Sequence, residues 1–488
     1  MLINSFNNYN KLSRSLKNSL SLCLHFLTLF SMILAAILAI IHLAQLSRCW
    51  LIVSIFIAMI VAFILGNPHG IITRSSTKSF LYIMLVVTLL IRMIWIIMVP
   101  SLPVSDFAGY HFMALDMSQL DFKHDTVQEV GYPVLLGILY AVFGGHVLVG
   151  KILNVTLSLL TALVLFLLAR EAFSEFSARN ALILFSLWPA QIMMNSVLAS
   201  EGPFLLMFLV VLLLLVKAKS DDSKRRQALC FMAGLILGLS CTIRAVGFLL
   251  LFVVLAYICF IDGNKTNKWQ ILKLLLAGFF LVVIPYYLFR WLTFKIPPTV
   301  SSLPFNLLYG TNIGYIGMWN PEDAALAHKL IEQYGSRASR YILGVAFSRM
   351  ISNPMGLLKL MCNKFEVMWS DDAYGAYWST INIAPNLIEI PIIRVDLLYI
   401  LSQLYYVFML CLAIIGLIKI QKTIKIKMQR DKIYNVSLLF VLVIIGFVIL
   451  HLFIEVQSRY HYPVVAIIIL LAGYGITENS VNFKNDSI

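Results

Sequence analysis

Long apolar stretches separated by short polar links run through almost the whole chain. The stretches lie at about residues 20–43, 50–65, 80–99, 151–169, 181–195, 202–217, 228–243, 245–261, 271–294, 396–418, 434–453 and 462–477. A helix of about 20 residues crosses the roughly 30 Å hydrocarbon core of a bilayer. The pattern therefore predicts an all-α, multi-pass membrane protein with about twelve membrane-spanning helices.

Three segments differ from this pattern. The segment 131–145 is short and bounded by glycine, and we interpret it as a helix that lies against or dips into the outer leaflet. Counting it as a span would invert the side of every later link. The link at 101–130 is rich in acids. The region 295–395 has mixed polarity, and helical periodicity from Pro321 to Trp369 predicts external amphipathic helices within it.

The chain is accordingly divided into four predicted parts. A cytoplasmic tail and an extra transmembrane hairpin occupy 1–78, and a transmembrane core with 101–130 as its first outer loop occupies 79–294. The external region follows at 295–395, and the C-terminal transmembrane helices occupy 396–488.

Composition excludes a soluble enzyme. Hydrophobic residues make up 60% of the 488 residues and charged residues only 12%, whereas soluble domains carry about 25% charged residues. The mean hydropathy is +0.89. The seven cysteines include no CxxC pair, so neither a zinc site nor a disulfide framework is indicated.

The net charge of +14 reflects membrane topology rather than nucleic-acid binding. Its basic residues sit in short runs between apolar stretches, as the positive-inside rule describes. With the N-terminus in the cytoplasm, nearly every basic run also falls inside. This assignment predicts a plasma-membrane protein with both termini cytoplasmic and with 101–130 and 295–395 on the outer face.

Two acids lie at the predicted ends of spans, close to the membrane surface, where a catalytic group that acts on a lipid headgroup would be needed. Asp106 lies about six residues beyond the end of a span, within reach of a lipid headgroup, and a general base must lie within hydrogen-bond distance of the proton it takes. Glu201 lies at the mouth of an otherwise apolar span, and acids near a membrane interior tend to mark function. The alternative for Asp106 is an ordinary solvated acid in a loop. The alternative for Glu201 is an interfacial acid whose side chain extends into water without a functional role.

Three arginines are candidates for holding an anion. Arg244 separates two short apolar stretches, and Arg459 precedes the last span with Glu455 as a suggested partner. Arginine suits phosphate because its planar fork can donate to two oxygens at once. Both could equally be ordinary interfacial cations. Arg92 lies deeper in the membrane, where a structural role within the bundle is as good an explanation as a ligand contact.

Several motifs recur in an order typical of one enzyme group. They read, in chain order, SDFAGYH, GYPVLLGILYAVFGG, LLAREAF, Pro189 followed by Glu201, GLILGLSCTIRAVG, YGTNIGYIGMWN, ISNPMGLLKLMCNKFEVMW and RYHYP. Together they resemble the C-type superfamily of integral-membrane glycosyltransferases. The branch they resemble contains the protein O-mannosyltransferases and the lipid A aminoarabinose transferases. The resemblance covers most of the chain after about residue 80.

This resemblance implies transfer of a sugar from a polyprenyl-phosphate donor to an acceptor on the outer face, with inversion. The acceptor is a protein, a lipid or a cell-envelope polymer. Asp106 corresponds to the base that deprotonates the acceptor hydroxyl, and Glu201 to a second acid that organises the site. Arg244 and Arg459 correspond to the cations that hold the donor phosphate. Residues that the resemblance suggests for positioning donor or acceptor are Tyr110, His111, Lys123 and Tyr460.

No resident cofactor is expected with certainty, and a divalent metal stays open. The mannosyltransferase branch has two adjacent acids in its first loop, whereas Phe107 follows Asp106 here. Three other interpretations also stay open: a transporter or flippase of lipid-linked saccharides, a polysaccharide polymerase, and an assembly protein. The acid-rich first loop and the large external region favour the transferase, because a flippase needs a two-sided cavity rather than a base beside one face.

Overall fold

Almost all of the described chain is α-helical. The computed structural model describes residues 2–46, 76–122, 129–218, 223–260, 265–294, 302–384, 395–427 and 432–477. Within these ranges, β structure is limited to an isolated bridge between Ser101 and Ile383. The predicted all-α class is confirmed.

The chain up to Phe294 contributes eleven helices in the described ranges. They are α1 (Leu2–Leu46), α2 (Thr77–Met98), α3 (Ser105–Ser118), α4 (Gly131–Phe143), α5 (Val147–Ala172), α6 (Glu175–Ser186), α7 (Pro189–Met194), α8 (Glu201–Lys217), α9 (Ser223–Ile243), α10 (Gly247–Phe260) and α11 (Lys265–Phe294). The remaining helices are α12 (Leu303–Gly310), α13 (Pro321–Tyr334), α14 (Ala338–Ser352), α15 (Pro354–Trp369), α16 (Tyr374–Thr380), α17 (Val395–Lys427), α18 (Lys432–Phe453) and α19 (Tyr462–Gly475). Short 3₁₀ turns precede α14 and α19.

Seven helices in the described ranges are long and apolar enough to cross a membrane. They contain the segments Ser19–Leu46, Thr77–Met98, Val147–Ala172, Ser223–Ile243, Lys268–Phe294, Val395–Ile424 and Ile433–Phe453. The structure does not confirm twelve spans. The predicted span at 50–65 lies outside the described residues. Helix α8 has 17 residues and is shorter than any of the seven.

The predicted span at 181–195 is not one helix. It is divided between α6 and α7, with Pro189 at the start of α7. Proline lacks an N–H and disfavours the helical conformation of the residue before it, so a continuous helix is interrupted here. The break matters because the irregular backbone that follows leads directly to Glu201.

The predicted outer loop at 101–130 also contains a helix. Helix α3 begins directly after Val104, and its Phe107, Met113 and Met117 are buried. The polar composition of this segment led to the prediction of a loop, whereas the structure contains a helix whose apolar residues pack inward.

The interior of the bundle is built on close contacts between helices. Helix α19 is apolar on all sides and almost wholly buried, as expected of a central helix. Helices α9 and α11 cross at two glycines: a Cβ on Gly234 would lie 2.1 Å from the Leu275 oxygen, and one on Gly278 would lie 2.3 Å from the Phe231 oxygen. Such small residues let helix backbones approach closely in membranes.

The region from α12 to α16 confirms the predicted amphipathic helices. Leu308, Ala327 and Ile342 form a small apolar core of their own between α12, α13 and α14. Beside it Asp323 accepts two hydrogen bonds from Arg349, with Nη2 to Oδ1 at 2.7 Å and Nη1 to Oδ2 at 3.1 Å. This region therefore has an internal structure and is more than a set of helices lying on a surface.

Candidate active site

The four predicted charged residues come together at one end of the helix bundle. Nη2 of Arg459 donates to Oδ2 of Asp106 at 2.9 Å, although the two residues are 353 positions apart. Nη1 of Arg244 lies 2.7 Å from Oε1 of Glu201. Nε of Arg459 lies 3.9 Å from that same Oε1. The residues form a chain of alternating charges, here called the charge cluster: Asp106, Arg459, Glu201 and Arg244.

Each of these charges except Arg459 lies at the end of a helix whose dipole it complements. Asp106 is in the first turn of α3, and Glu201 is the first residue of α8. Helix N-termini carry partial positive charge and favour anions, and C-termini favour cations. Arg244 directly follows the last residue of α9. Arg459 lies on the 3₁₀ turn Ser458–His461 between α18 and α19.

The two carboxylates differ in how accessible they are. The Asp106 side chain is 38% exposed, and the Glu201 side chain is only 4% exposed. A group that takes a proton from an incoming substrate must be reachable. Asp106 therefore satisfies the requirement for a base, whereas Glu201 lies beneath the two arginines and balances their charge.

Aromatic rings fix the position of Arg459. Its guanidinium carbon lies 5.1 Å from the ring centre of Phe107, 5.3 Å from that of Trp378 and 5.7 Å from that of Tyr460. Cations are attracted to aromatic faces within about 6 Å. The arrangement holds the guanidinium in place while leaving its planar donor groups directed at the carboxylates.

The arginines of the charge cluster keep their protons firmly. Burial lowers the pKa of Arg459, but the nearby charge of Glu201 more than offsets this, so its pKa is raised overall. The pKa of Arg244 is raised in the same way by Glu201, against the effect of burial. Both groups are permanent cations, which suits the binding of an anion but excludes them as proton carriers.

Two of the four predicted positioning residues adjoin the charge cluster. Burial raises the pKa of Tyr110, which lies in the field of Arg244 and Asp106, so its phenol stays protonated. The Tyr460 ring lies beside both arginines, 5.9 Å from the Arg244 guanidinium carbon, and its hydroxyl donates to Glu455. Both tyrosines are therefore placed to contact a ligand of the cluster.

Of the other two, His111 does not join it. The ring of His111 bonds through Nδ1 to the hydroxyl of Tyr140 on α4, at 2.8 Å. Lys123 lies outside the described residues. Within the described ranges, no three His, Cys, Asp or Glu side chains converge as they would around a metal ion.

Glu455 forms no direct ion pair with Arg459 within the described ranges, although the two charges attract each other at longer range. Oε1 of Glu455 instead accepts hydrogen bonds from Gln457 Nε2 at 2.8 Å and from Tyr460 at 3.1 Å. The helical spacing of four residues that motivated the pairing does not apply, because α18 ends at Phe453 and the chain is extended before the 3₁₀ turn. Asp106 and Glu201, from distant parts of the sequence, are the partners of Arg459.

Arg92 has a structural role. Its guanidinium is buried and donates to the backbone oxygens of Ser186 and Phe185, at 3.1 and 3.2 Å, and to Oε1 of Gln191. The two backbone oxygens belong to the last turn of α6, where a cation complements the helix dipole. Arg92 thus stabilises the break between α6 and α7.

Sequence reasoning missed a buried acid and histidine directly behind the site. Asp372 accepts from Trp188 Nε1 at 2.8 Å, and its other oxygen lies 3.0 Å from Nε2 of His461. Burial raises the pKa of Asp372. Nδ1 of His461 donates to the Met368 carbonyl, which fixes the ring. The pair anchors the 3₁₀ turn that carries Arg459. The only sign of this pair in the sequence was the position of His461, two residues after that arginine.

Comparisons with known proteins bear on the family and the fold. The family model described as dolichyl-phosphate-mannose-protein mannosyltransferase matches residues 130–289, which include Glu201 and Arg244. A similar solved structure is that of the archaeal oligosaccharyltransferase AglB from Archaeoglobus fulgidus, in complex with an inhibitory peptide and a dolichol-phosphate. It matches with a TM-score of 0.51 and 15% sequence identity. The match covers 82% of this chain and 50% of that chain. The chain therefore shares the fold of this membrane oligosaccharyltransferase. The predicted resemblance is confirmed.

Two further structures match over 82% of this chain. The apo form of the same Archaeoglobus fulgidus oligosaccharyltransferase matches with a TM-score of 0.50 and 16% identity, over 82% of this chain and 50% of that chain. ArnT from Cupriavidus metallidurans, bound to undecaprenyl phosphate, matches with a TM-score of 0.42 and 12% identity, over 82% and 78%. The chain thus spans about half the length of the archaeal enzyme. No curated protein sequence matches it.

Proposed function

We propose that this protein transfers a sugar from a polyprenyl-phosphate donor to an acceptor at the outer face of the membrane. The observation that carries the proposal is the charge cluster, where an accessible carboxylate contacts a guanidinium that is itself paired with a buried carboxylate. A base and an anion-binding cation therefore lie within one hydrogen bond of each other. Transfer from a phosphate carrier needs both groups at one place.

The donor phosphate is proposed to bind at Arg459 and Arg244. Both guanidinium groups are permanent cations, and arginine is well suited to two-point contacts with phosphate oxygens. The printed names of the matching family and of AglB mention dolichyl-phosphate-mannose and dolichol-phosphate, which supports a lipid phosphate as the ligand. The isoprenoid tail would lie along the apolar helices below.

Donor binding would also activate Asp106. In the structure this carboxylate accepts a hydrogen bond from Arg459, which occupies its Oδ2. A phosphate that takes over the Arg459 donors would release Asp106 from this contact. The base would then become free at the moment when the donor is in place.

The proposed reaction is a single displacement at the anomeric carbon. The acceptor hydroxyl gives its proton to Asp106, and its oxygen forms the new bond to the anomeric carbon while the bond to the donor phosphate oxygen breaks. The electron pair of that bond leaves with the polyprenyl phosphate. Arg459 and Arg244 stabilise the additional negative charge on the phosphate, an effect that is large in a site with little water.

Binding of the product lipid tests the proposal without knowledge of the sugar or acceptor. Purified protein in lipid nanodiscs is titrated with undecaprenyl phosphate and, separately, with uncharged undecaprenol. We expect R459A and R244A each to weaken phosphate binding at least about tenfold, or about 1.4 kcal/mol, and to leave undecaprenol binding unchanged. The matched control is R170A, which removes an exposed cation from the last turn of α5.

Two results would contradict the proposal. The first is equal affinity for the phosphate in R459A, R244A and R170A, since the cluster would then not hold the donor. The second is movement of an intact lipid-linked saccharide across the bilayer with no cleavage, which would support the transporter interpretation.

A further inference from the structure

A small cavity with several polar side chains in its lining lies beside Glu201. It has a volume of about 20 Å³ and lies between α5, the α7–α8 segment and the start of α19. Its polar lining consists of Asn154, Ser158, Thr161, Gln191, Asn195, Glu201 and Tyr462. A polar pocket is unexpected within a chain of this composition, because each unpaired polar group buried in an apolar medium costs free energy.

One face of the membrane-spanning helix α5 supplies this lining. Asn154, Ser158 and Thr161 recur at a spacing of four and three residues and are all buried. Oγ of Ser158 donates to Asn195 at 2.9 Å, and Nδ2 of Asn154 donates to the backbone oxygens of Asn195 and Val197, at 3.2 and 2.7 Å. These bonds hold the irregular backbone that leads into Glu201.

Three buried oxygens at the cavity accept no hydrogen bond from any residue in the described ranges. They are Oε1 and Oε2 of Glu201 and Oδ1 of Asn154. Glu201 is 3% exposed and Asn154 is 6% exposed. Arg244 approaches Oε1 closely enough for charge neutralisation but without hydrogen-bond alignment. A carboxylate and an amide oxygen that face one polar pocket require a donor between them.

We propose that the cavity binds one ordered water molecule that donates to Glu201 and to Oδ1 of Asn154. A water needs roughly 10–15 Å³ of such space and two to four polar partners, and the cavity provides both. Water can donate twice, so one molecule satisfies Oδ1 of Asn154 and one of the two carboxylate oxygens of Glu201. A metal cation fits less well, because Arg244 and Arg459 already balance the charges of Glu201 and Asp106.

This water makes Asn154 a positioning residue for the charge cluster. Asn154 fixes the water, the water fixes the Glu201 carboxylate, and Glu201 holds both arginines in place for the phosphate. The link to turnover rests on the proposed function. The water site itself does not, so the two are tested separately.

Gly202 offers a way to displace the water without changing any side chain that bonds to it. An added Cβ at Gly202 would lie 4.0 Å from Oδ1 of Asn154 and 4.0 Å from Leu157 Cδ1, which is an ordinary contact distance. The methyl of Gly202→Ala therefore fits sterically but occupies space along the cavity wall. Gly344→Ala on α14 is the matched control, since nothing lies within 4 Å of its added Cβ.

For Gly202→Ala we expect a Tm close to that of wild type, because the helix preference of alanine over glycine, about 1 kcal/mol, offsets much of the free energy lost with the hydrogen bonds of the water. We also expect kcat for sugar transfer to fall at least fivefold, with undecaprenyl phosphate affinity within twofold of wild type. Asn154→Leu should lose activity in the same way but with a lower Tm. Gly344→Ala should retain wild-type kcat. Wild-type kcat in Gly202→Ala would overturn the positioning role.

The water is observed directly by cryo-electron microscopy of the full chain in nanodiscs at about 2 Å resolution. We expect a density peak 2.6–3.2 Å from Glu201 and Asn154 Oδ1 in the wild type and none in Gly202→Ala. An empty wild-type cavity would overturn the site. A wild-type Tm that changes when sodium is replaced by choline would also overturn it, in favour of a cation. If no donor is turned over but the peak is present, the water site stands and the proposed function fails.

Discussion

Asp106 and Glu201 carry the same chemical group, but their surroundings give them different roles. Asp106 is partly exposed and bonded to one arginine, whereas Glu201 is buried between two. Removing one member of a buried charge pair leaves the other uncompensated, which typically costs 3–5 kcal/mol. The structural consequences of changing Glu201 should therefore be much larger than those of changing Asp106.

We predict that Glu201→Gln destabilises the protein by about 2–4 kcal/mol and weakens undecaprenyl phosphate binding, because Arg244 and Arg459 then repel each other. Thermal unfolding in detergent and lipid titration measure both effects. The control is Glu175→Gln, which removes a partly exposed partner of Arg179 at helical spacing. Equal stability losses in the two variants would contradict the role assigned to Glu201.

A second residue-scale prediction concerns acid stability. Burial alone would raise the pKa of Asp323, but hydrogen bonds from Arg349, Asn312 and Asn320 lower it overall. A carboxyl whose pKa is lower in the folded state stabilises the fold at pH values above its unfolded pKa of about 3.9. That stabilisation is lost as pH falls through the folded pKa.

Asp323→Asn should therefore lower Tm at pH 7 and flatten the dependence of Tm on pH below about pH 4. Thermal unfolding of the full chain between pH 7 and pH 3 measures this. Glu332→Gln, on the exposed side of the same helix, serves as the control. Parallel pH curves for wild type and Asp323→Asn would show that the Arg349 contact contributes nothing.

At the scale of elements, hydrophobic patterning located the long spans but misjudged two short segments. Spans such as α2, α5 and α18 follow from uninterrupted apolar stretches of the right length. Helix α3 lies in an acid-rich segment that was predicted to be a loop. The break between α6 and α7 lies in an apolar stretch that was predicted to be one span. Pro189 marks the break in the sequence, because proline disfavours a continuous helix. The position of Arg459 also depended on where α18 ends, which sequence periodicity does not define.

Lys364 on α15 joins two helix ends. Its Nζ donates to the backbone oxygens of Gly310 and Leu452, at 2.9 and 3.0 Å, in the last turns of α12 and α18. Burial lowers the pKa of Lys364 to about 7. Lys364→Met should remove both hydrogen bonds and leave two carbonyl groups unsatisfied, at a cost of about 1–3 kcal/mol each.

We expect a lower Tm for Lys364→Met and faster proteolytic cleavage between α12 and α15. Lys359→Met, an exposed lysine on the same helix, should match wild type in both measurements. If Lys364→Met resists protease as well as Lys359→Met does, the two carbonyl contacts do not hold this region to the bundle.

At the scale of the whole molecule, the N-terminal helix is joined to the C-terminal helices. Nε2 of Gln403 on α17 donates to the Ala39 oxygen of α1 at 2.9 Å, and His25 contacts Ser437 of α18 at 3.1 Å. The sequence indicated an extra element before the motifs but contained no signal for what it packs against. Contacts between such distant segments, like that of Asp106 with Arg459, depend on the fold rather than on local pattern.

The predicted topology places the α12–α16 region on the outer face, and Cys362 tests it. This cysteine is free and exposed on α15. In intact cells, a membrane-impermeant maleimide should label the wild type more strongly than Cys362→Ser. If the difference between the two proteins arises only after the cells are permeabilised, this region lies inside and the topology is reversed.

The central claim is that Asp106 is the base of a lipid-phosphate sugar transferase. The most direct test is the turnover of radiolabelled polyprenyl-phosphate sugars by wild type, Asp106→Asn and Asp116→Asn, the last being the same change on the same helix. We predict sugar release or transfer by wild type and Asp116→Asn, and a loss of at least about 100-fold in Asp106→Asn with undecaprenyl phosphate still bound. Turnover by Asp106→Asn at the wild-type rate would contradict the account.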